Sequence, residues 1–111
     1  MGDGHHVWAA AEWLLMVRNC LVREEADRLV LCAGLPQRWL DAGQPIGFGP
    51  APTTFGPVTI TVTPQSQDRL RVAWQGEWRG TAPAIEIRPP GFAPVTAAGG
   101  DNPVELAKLM P

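Results

Sequence analysis

Two segments in the middle of the chain alternate between apolar and polar residues, and this pattern restricts the fold more than any other feature. The segments VTITVTP (58–64) and RLRVAWQG (69–76) are separated only by QSQD (65–68). Successive side chains of a β-strand point to opposite faces, so strict alternation predicts one buried and one exposed face. The two segments are therefore expected to form an antiparallel hairpin closed by QSQD. The residues predicted to share its core face are Val58, Ile60, Val62, Leu70, Val72 and Trp74.

Other short apolar segments predict further strands. RLVLCAG (28–34) is typical of a buried strand that ends at glycine, residues 46–48 fit a short edge strand, and AIEIRPPG (84–91) predicts a last strand with Ile85 and Ile87 inward. Residues 91–111 are expected to be a loop-like tail. Within it, residues 102–109 fit one short terminal helix, with Asn102 as its cap and Pro103 in the first helical position.

The N-terminal segment DGHHVWAAAEWLLMVRNCLV (3–22) predicts a helix that is apolar on nearly every side. Asp3 is a suitable N-cap, and the pattern extends the helix over about residues 4–25. A surface helix needs an apolar arc of only about 100°, so this helix is expected to have neighbours on two or three sides. The predicted fold is a single domain over 1–111, mostly β (α+β). In it a long N-terminal helix packs on a small antiparallel, β-sandwich-like sheet of four to six strands, within a β-domain over about 28–90.

Charge and cysteine content exclude several classes of function. The net charge is −2, and the nine Lys and Arg residues are scattered along the chain, which argues against nucleic-acid binding. The first apolar run lacks the basic start of a signal peptide and is too polar to span a bilayer, so we expect a cytoplasmic protein without a membrane partner. Cys20 and Cys32 have no metal-ligand spacing and are interpreted as small buried hydrophobic residues.

No set of residues predicts catalysis, a metal site or a cofactor. His5 and His6 at the helix start could form a polar-ligand or acid–base site, but a solvated helix start is the preferred interpretation. The glutamates do not form a paired carboxylate motif, and Ser66 in the hairpin loop has no histidine near it in sequence. Among the aromatic residues, Trp78 in the turn QGEWRG (75–80) is the candidate for an exposed side chain that stacks on a sugar ring.

The segment RLVLCAGLPQRWLDAGQPI (28–46) resembles the entry to the C-terminal β-sandwich of six-hairpin, α/α-barrel glycoside hydrolases and phosphorylases. In those enzymes a final barrel helix precedes an apolar strand, "LP", two residues, "WL" and a glycine. GHHVWAAAEWLLMVRNCLVREE (4–25) is similar to that helix, and FGPVTITV (55–62) and RLRVAWQGEW (69–78) are similar to the next sandwich strands. The resemblance covers about Gly4 to Pro90.

The resemblance implies a non-catalytic accessory domain of a carbohydrate-active enzyme, since the catalytic carboxylates of such enzymes lie in the barrel. It also explains the apolar helix, which would pack among other barrel helices, and it would place His5 or His6 at the barrel mouth. The alternative is a free-standing module that binds a glycan or a protein through Trp78 and the segment GFGPAPTTFG (47–56). In either case the apolar helix predicts a homodimer, or contact with a missing barrel, through Trp13, Met16 or Cys20.

Overall fold

The protein is a β-sandwich of two four-stranded sheets, seen in a computed structural model that describes residues 17–66, 68–98 and 102–109. Residues 17–21 are helical and lead directly into the first strand. The elements that follow are β1 (Val22–Glu25), β2 (Arg28–Leu31), α1 (Gln37–Asp41), β3 (Ile46–Ala51), β4 (Val58–Pro64), β5 (Arg69–Gly76), β6 (Ala84–Ile87), β7 (Val95–Ala97) and β8 (Val104–Ala107). The expectation of a mostly β fold is confirmed.

The meander sheet, in the order β3-β4-β5-β8, is antiparallel throughout and contains the predicted hairpin. Its central register pairs Ile60 with Trp74 and Val62 with Val72, as the alternation of the two segments requires. All six residues predicted for the core face are buried, whereas Thr61 on the opposite face is exposed. The edge strand predicted at residues 46–48 is present as β3 and extends to Ala51.

The mixed sheet, in the order β1-β2-β6-β7, is built from strands of three or four residues. β1 and β2 form an antiparallel hairpin, but β2 and β6 run parallel, because the chain completes most of the meander sheet before it returns. Ile85 and Ile87 of β6 are fully buried, as predicted.

Both sheets contribute to one hydrophobic core. Leu29 and Leu31 of β2 belong to the same cluster of buried side chains as Ile60 and Leu70 of the meander sheet. Full burial of such a side chain contributes about 1.5–3 kcal/mol, so this shared core holds the two layers together. The sequence predicts a single sheet covered by a helix; in the described residues the cover of the meander sheet is a second sheet.

The prediction of a helix over residues 4–25 is wrong at its C-terminal end. Val22 to Glu25 form strand β1, and the helical turn ends at Leu21. The reason is pairing with β2: Val22 lies opposite Leu31, and the Leu21 carbonyl accepts a hydrogen bond of 2.9 Å from the Cys32 N–H. Pairing within this local hairpin overrides the helix propensity of the segment, which is only a weak preference. Residues 4–16 of the predicted helix lie outside the described part of the chain.

The prediction of a loop-like tail with a terminal helix at residues 102–109 is also wrong. The tail contains β7 and β8, and β8 adds to the edge of β5 with Leu106 opposite Leu70. Asn102 does not cap a helix. Its side-chain Oδ1 accepts from the Trp74 N–H at 2.8 Å, and its Nδ2 donates to the Trp74 carbonyl, so one amide side chain acts as a strand partner for Trp74.

One edge of the sandwich is closed by the chain segment between β6 and β7. Residues 91–93 pair with the end of β8 through a bridge between Phe92 and Lys108 and a hydrogen bond of 3.1 Å from the Ala93 N–H to the Ala107 carbonyl. This contact brings β8, the β4–β5 hairpin loop and Phe92 together at one end of the molecule.

No helix in the described ranges combines the length and the apolar character needed to cross a membrane.

Candidate functional site

The predicted site and interface residues fall partly outside the described chain. His5, His6, Trp13 and Met16 all lie before residue 17, so their predicted roles stay predictions. Cys20 is half-buried in the helical turn, and its carbonyl accepts a hydrogen bond of 3.1 Å from the Gly34 N–H. Its predicted burial is therefore only partial.

Trp78 is half-buried and packs against the core. Its six-membered ring covers Gly76, where a Cβ atom would overlap the indole. A ring that covers a glycine in this way shields the strand backbone and loses one of its two faces to packing. Trp78 is therefore less exposed than the sequence predicts, and only its outer face and edge remain for a ligand.

The structure brings Trp78 together with the segment 47–56, as the binding-module hypothesis requires. The Arg79 N–H donates to the Phe55 carbonyl at 3.1 Å, and Gly56 approaches Glu77 so closely that a Cβ atom would clash with the Glu77 carbonyl. Thr53 braces the turn, because its hydroxyl is buried and donates to the Gly56 carbonyl at 2.6 Å. The site thus has a rigid frame and one half-buried aromatic ring.

Four other aromatic residues pack in or against the core. Trp74 is buried on the core face, as predicted. Trp39, Phe48 and Phe55 are half-buried and pack against the same cluster.

Glu24 is a structural carboxylate at the rim between the two sheets. Its Oε1 accepts a hydrogen bond from the Thr54 N–H, and its Oε2 lies 3.4 Å from Arg18 Nη2. Arg18 also donates to the Pro52 carbonyl at 2.8 Å, so this pair fastens β1 to the turn after β3. The hydrogen bond from Thr54 is the main reason why the pKa of Glu24 lies below its ordinary value of 4.5, and Arg18 adds to the effect against the cost of burial.

Glu86 has the same character on the mixed sheet. Its carboxylate accepts from Arg28 Nη1 at 3.1 Å and from Arg88 Nε at 2.7 Å. Burial alone would raise the pKa of Glu86, but the hydrogen bonds and charges of the two arginines outweigh it, so the pKa lies below 4.5. A general acid needs a raised pKa, so neither Glu24 nor Glu86 is suited to that role.

Cys32 is chemically inert in the folded protein. Its side chain is fully buried, and burial raises the pKa of the thiol to about 12. Because the thiolate is the reactive form, Cys32 is not a nucleophile at neutral pH. Its predicted role as a small buried hydrophobic residue is confirmed, and both cysteines are free thiols.

A pocket of about 520 Å³ opens at the end of the sandwich where the β4–β5 loop lies, and we call it the hairpin pocket. Its apolar lining consists of buried side chains from three parts of the chain, namely Leu40, Leu70 and Phe92. Gly43 and Pro64 also line the pocket. The polar lining residues are Gln37, Asp41, Gln65, Ser66, Arg69 and Lys108.

Sequence reasoning missed the hairpin pocket. Its lining comes from α1, the hairpin loop, the start of β5, Phe92 and Lys108, which follows β8, and the sequence predicts a helix for the segment that holds Lys108. The only usable signal was the hairpin prediction, which fixed where Ser66 and Arg69 would lie. Ser66 is braced within the loop, where its hydroxyl accepts from the Asp68 N–H at 3.3 Å.

In the described ranges, no three His, Cys, Asp or Glu residues are grouped so that they could hold a metal ion. Comparison of the chain with protein-family models, curated proteins and solved structures gives no match.

Proposed function

We propose that the protein is a non-catalytic β-sandwich domain that packs on and stabilises a carbohydrate-active enzyme, in the manner of the C-terminal domain of α/α-barrel glycoside hydrolases and phosphorylases. The observation that carries the proposal is the order of elements. Helical residues 17–21 lead directly into a sandwich, and the resemblance over Gly4 to Pro90 implies the same order of helix and sandwich, except that Val22–Glu25 form strand β1 where it implies the end of the helix.

The state of the carboxylates supports a role without catalysis. Glycoside hydrolysis commonly uses two carboxyl groups, one of which acts as an acid and has a raised pKa. Glu24 and Glu86 have lowered pKa values and act as acceptors for arginine or backbone donors. These groups hold strands together and leave little capacity for proton transfer.

Two measurements test this function. The purified chain is expected to leave aryl glycosides intact, and hydrolysis that is abolished by one Glu or Asp substitution would contradict the proposal. The second measurement uses an α/α-barrel protein encoded directly upstream. Adding the chain should raise the melting temperature of that barrel, because a partner that binds only the folded state stabilises it. The absence of any such reading frame, or an unchanged melting temperature, would count against the accessory role.

A free-standing binding module is the second candidate, and it is favoured by the contact between Trp78 and the segment 47–56. A glycan array would test it. Trp78→Phe keeps an aromatic side chain but makes the ring system smaller, so it should weaken binding. Trp39→Phe, at a half-buried tryptophan of α1, is the matched control and should have no effect. An equal loss of glycan affinity in both variants would show that Trp78 does not form the binding site.

Self-association through the N-terminal segment is part of the same proposal. The apolar residues Trp13 and Met16 would contribute to a two-fold interface together with Cys20, which is half-buried. Sedimentation at high concentration should show a dimer, and Trp13→Glu should shift the mass toward monomer. Asn19→Glu, at an exposed position of the helical turn, is the control for added charge. A monodisperse wild-type monomer would contradict the prediction.

A further inference from the structure

We propose that the hairpin pocket binds a small, hydroxylated ring compound that carries one carboxylate, with Arg69 and Lys108 as the residues that recognise the carboxylate. This goes beyond the accessory role, because a domain with or without a barrel partner could bind such a ligand.

The size and the apolar surface of the hairpin pocket suit a compact ring. Its volume of about 520 Å³ falls within the range of about 300–1,000 Å³ typical of small-molecule sites. Leu40 and Phe92 line the pocket and keep a small exposed fraction, so they supply a limited apolar contact for the C–H face of a ring, with Leu70 behind them. Because these residues belong to the core or pack directly on it, this surface is formed before any ligand arrives.

The neutral polar lining suits hydroxyl groups. Gln37 and Gln65 each carry an amide that can both donate and accept, and the Ser66 hydroxyl can do the same. Asp41 accepts a hydrogen bond of 3.0 Å from Gln37 Nε2, which leaves further carboxylate lone pairs for a ligand hydroxyl. Groups of this kind distinguish a polyol from a purely apolar ring.

The charges of the lining select an anion. Arg69 and Lys108 are exposed, and no ion pair among residues 17–66, 68–98 and 102–109 uses either of them. Among the described residues that line the pocket, Asp41 is the one acidic side chain beside the two basic ones, so these described residues together carry a net positive charge. Arginine binds a carboxylate through two parallel N–H donors, and lysine adds a point charge.

An apolar ring face, several hydroxyls and one carboxylate are the chemistry of a uronic acid. Such a group could reach the pocket as a free monosaccharide or as the end of an acidic oligosaccharide. The pocket would contact the acidic sugar ring in the same way in both cases, and the two ligands differ only in the part that lies outside the pocket mouth.

Calorimetric titration of the full chain tests the proposal. D-glucuronate, D-galacturonate and an oligogalacturonate are the ligands; D-glucose supplies the ring without the charge, and acetate supplies the charge without the ring. Saturable binding of an acidic sugar is expected, with glucose and acetate each at least about tenfold weaker, since a charge-assisted hydrogen bond contributes about a factor of ten or more. Binding of the oligosaccharide alone identifies a glycan end as the source, and binding of a monosaccharide shows that the free acid suffices.

Variants at four exposed positions distinguish binding in the hairpin pocket from a general effect of surface charge. Arg69→Gln and Lys108→Gln should each weaken binding about tenfold, whereas Asp41→Asn should strengthen it, because it removes a repulsive charge and keeps an acceptor. Arg71→Gln is the matched control, since Arg71 is exposed on the same strand as Arg69 but does not line the pocket. Unchanged urea midpoints would show that all four variants remain folded.

Three results would overturn the proposal: no saturable binding of any acidic sugar, equal affinity for glucose, or equal weakening by Arg69→Gln and Arg71→Gln. None of these depends on aryl-glycoside hydrolysis or on stabilisation of a barrel, so the pocket and the accessory role can fail separately.

Discussion

The two sheets of the sandwich are held together by different means. The meander sheet has central strands of seven and eight residues, and their alternation places an unbroken row of apolar side chains on one face. The mixed sheet has strands of three or four residues, and charged contacts support it, with Glu86 between Arg28 and Arg88 and Glu24 between Arg18 and the Thr54 N–H. The comparison shows that a strand too short to define its own pattern can still be held in place by its neighbours and by polar contacts.

The largest effect is expected in the core face of the meander sheet. Ile60→Ala removes a fully buried side chain from the middle of β4 and should lower the free energy of unfolding by about 2–5 kcal/mol. Thr61→Ala, on the exposed face of the same strand, should cost only about 0.5 kcal/mol. Urea denaturation of both variants measures the difference, and equal losses would show that the register of β4 is wrong.

A smaller effect is expected where the tail joins the meander sheet. Asn102→Ala removes both hydrogen bonds to the Trp74 backbone and should destabilise the protein by about 1–3 kcal/mol. The control is Gln75→Ala, because Gln75 is exposed on the strand that the Asn102 side chain contacts, β5. Hydrogen exchange at Trp74 should accelerate in the first variant only. Unchanged protection at Trp74 would mean that the Asn102 side chain does not pair with this backbone.

The smallest effects are expected at the carboxylates, and they depend on pH. Because the folded pKa values of Glu24 and Glu86 lie below the ordinary value of 4.5, their stabilisation is present above that pH and is lost as the pH falls through the lowered values. Glu86→Gln should therefore lower the urea midpoint at about pH 7 and have a smaller effect at about pH 3.

Glu105→Gln is the control for this titration, since Glu105 is exposed on β8 and has no ion pair in the described ranges. An equal loss for Glu86→Gln at both pH values would show that packing, and not ionisation, accounts for the effect of Glu86.

The fold could be predicted from the sequence where the pattern was local. The β4–β5 hairpin, its six core residues and the burial of Ile85 and Ile87 follow from alternation alone. β1 and β8 could not be predicted in the same way, and the sequence predicts a helix for each. Residues 22–25 (VREE) do not alternate although their partner β2 is local, and the partner of β8 is the distant strand β5. Asn102 shows the reason at atomic scale: an amide side chain before a proline suits a helix cap, and it also suits a strand partner.

The candidate sites also contain features that the sequence predicts and features that only the folded structure shows. The binding-module hypothesis names Trp78 together with the segment 47–56, but the sequence does not predict the packing of Trp78 over Gly76, since nothing in a linear sequence shows which glycine a ring covers. The hairpin pocket joins Leu40, Arg69 and Lys108 from distant positions, and that arrangement exists only after β8 has docked.

The parallel pairing of β2 with β6 has a consequence for the time course of folding. The whole of β3, β4 and β5 lies between these two neighbours, so their contact closes a long loop and carries a high entropic cost. The β4–β5 hairpin is local and can form early, whereas the centre of the mixed sheet should form after the rate-limiting barrier. Substitutions in the hairpin should therefore slow refolding, and substitutions at Leu29 or Ile85 should mainly accelerate unfolding, a division that the two arms of a chevron plot would resolve.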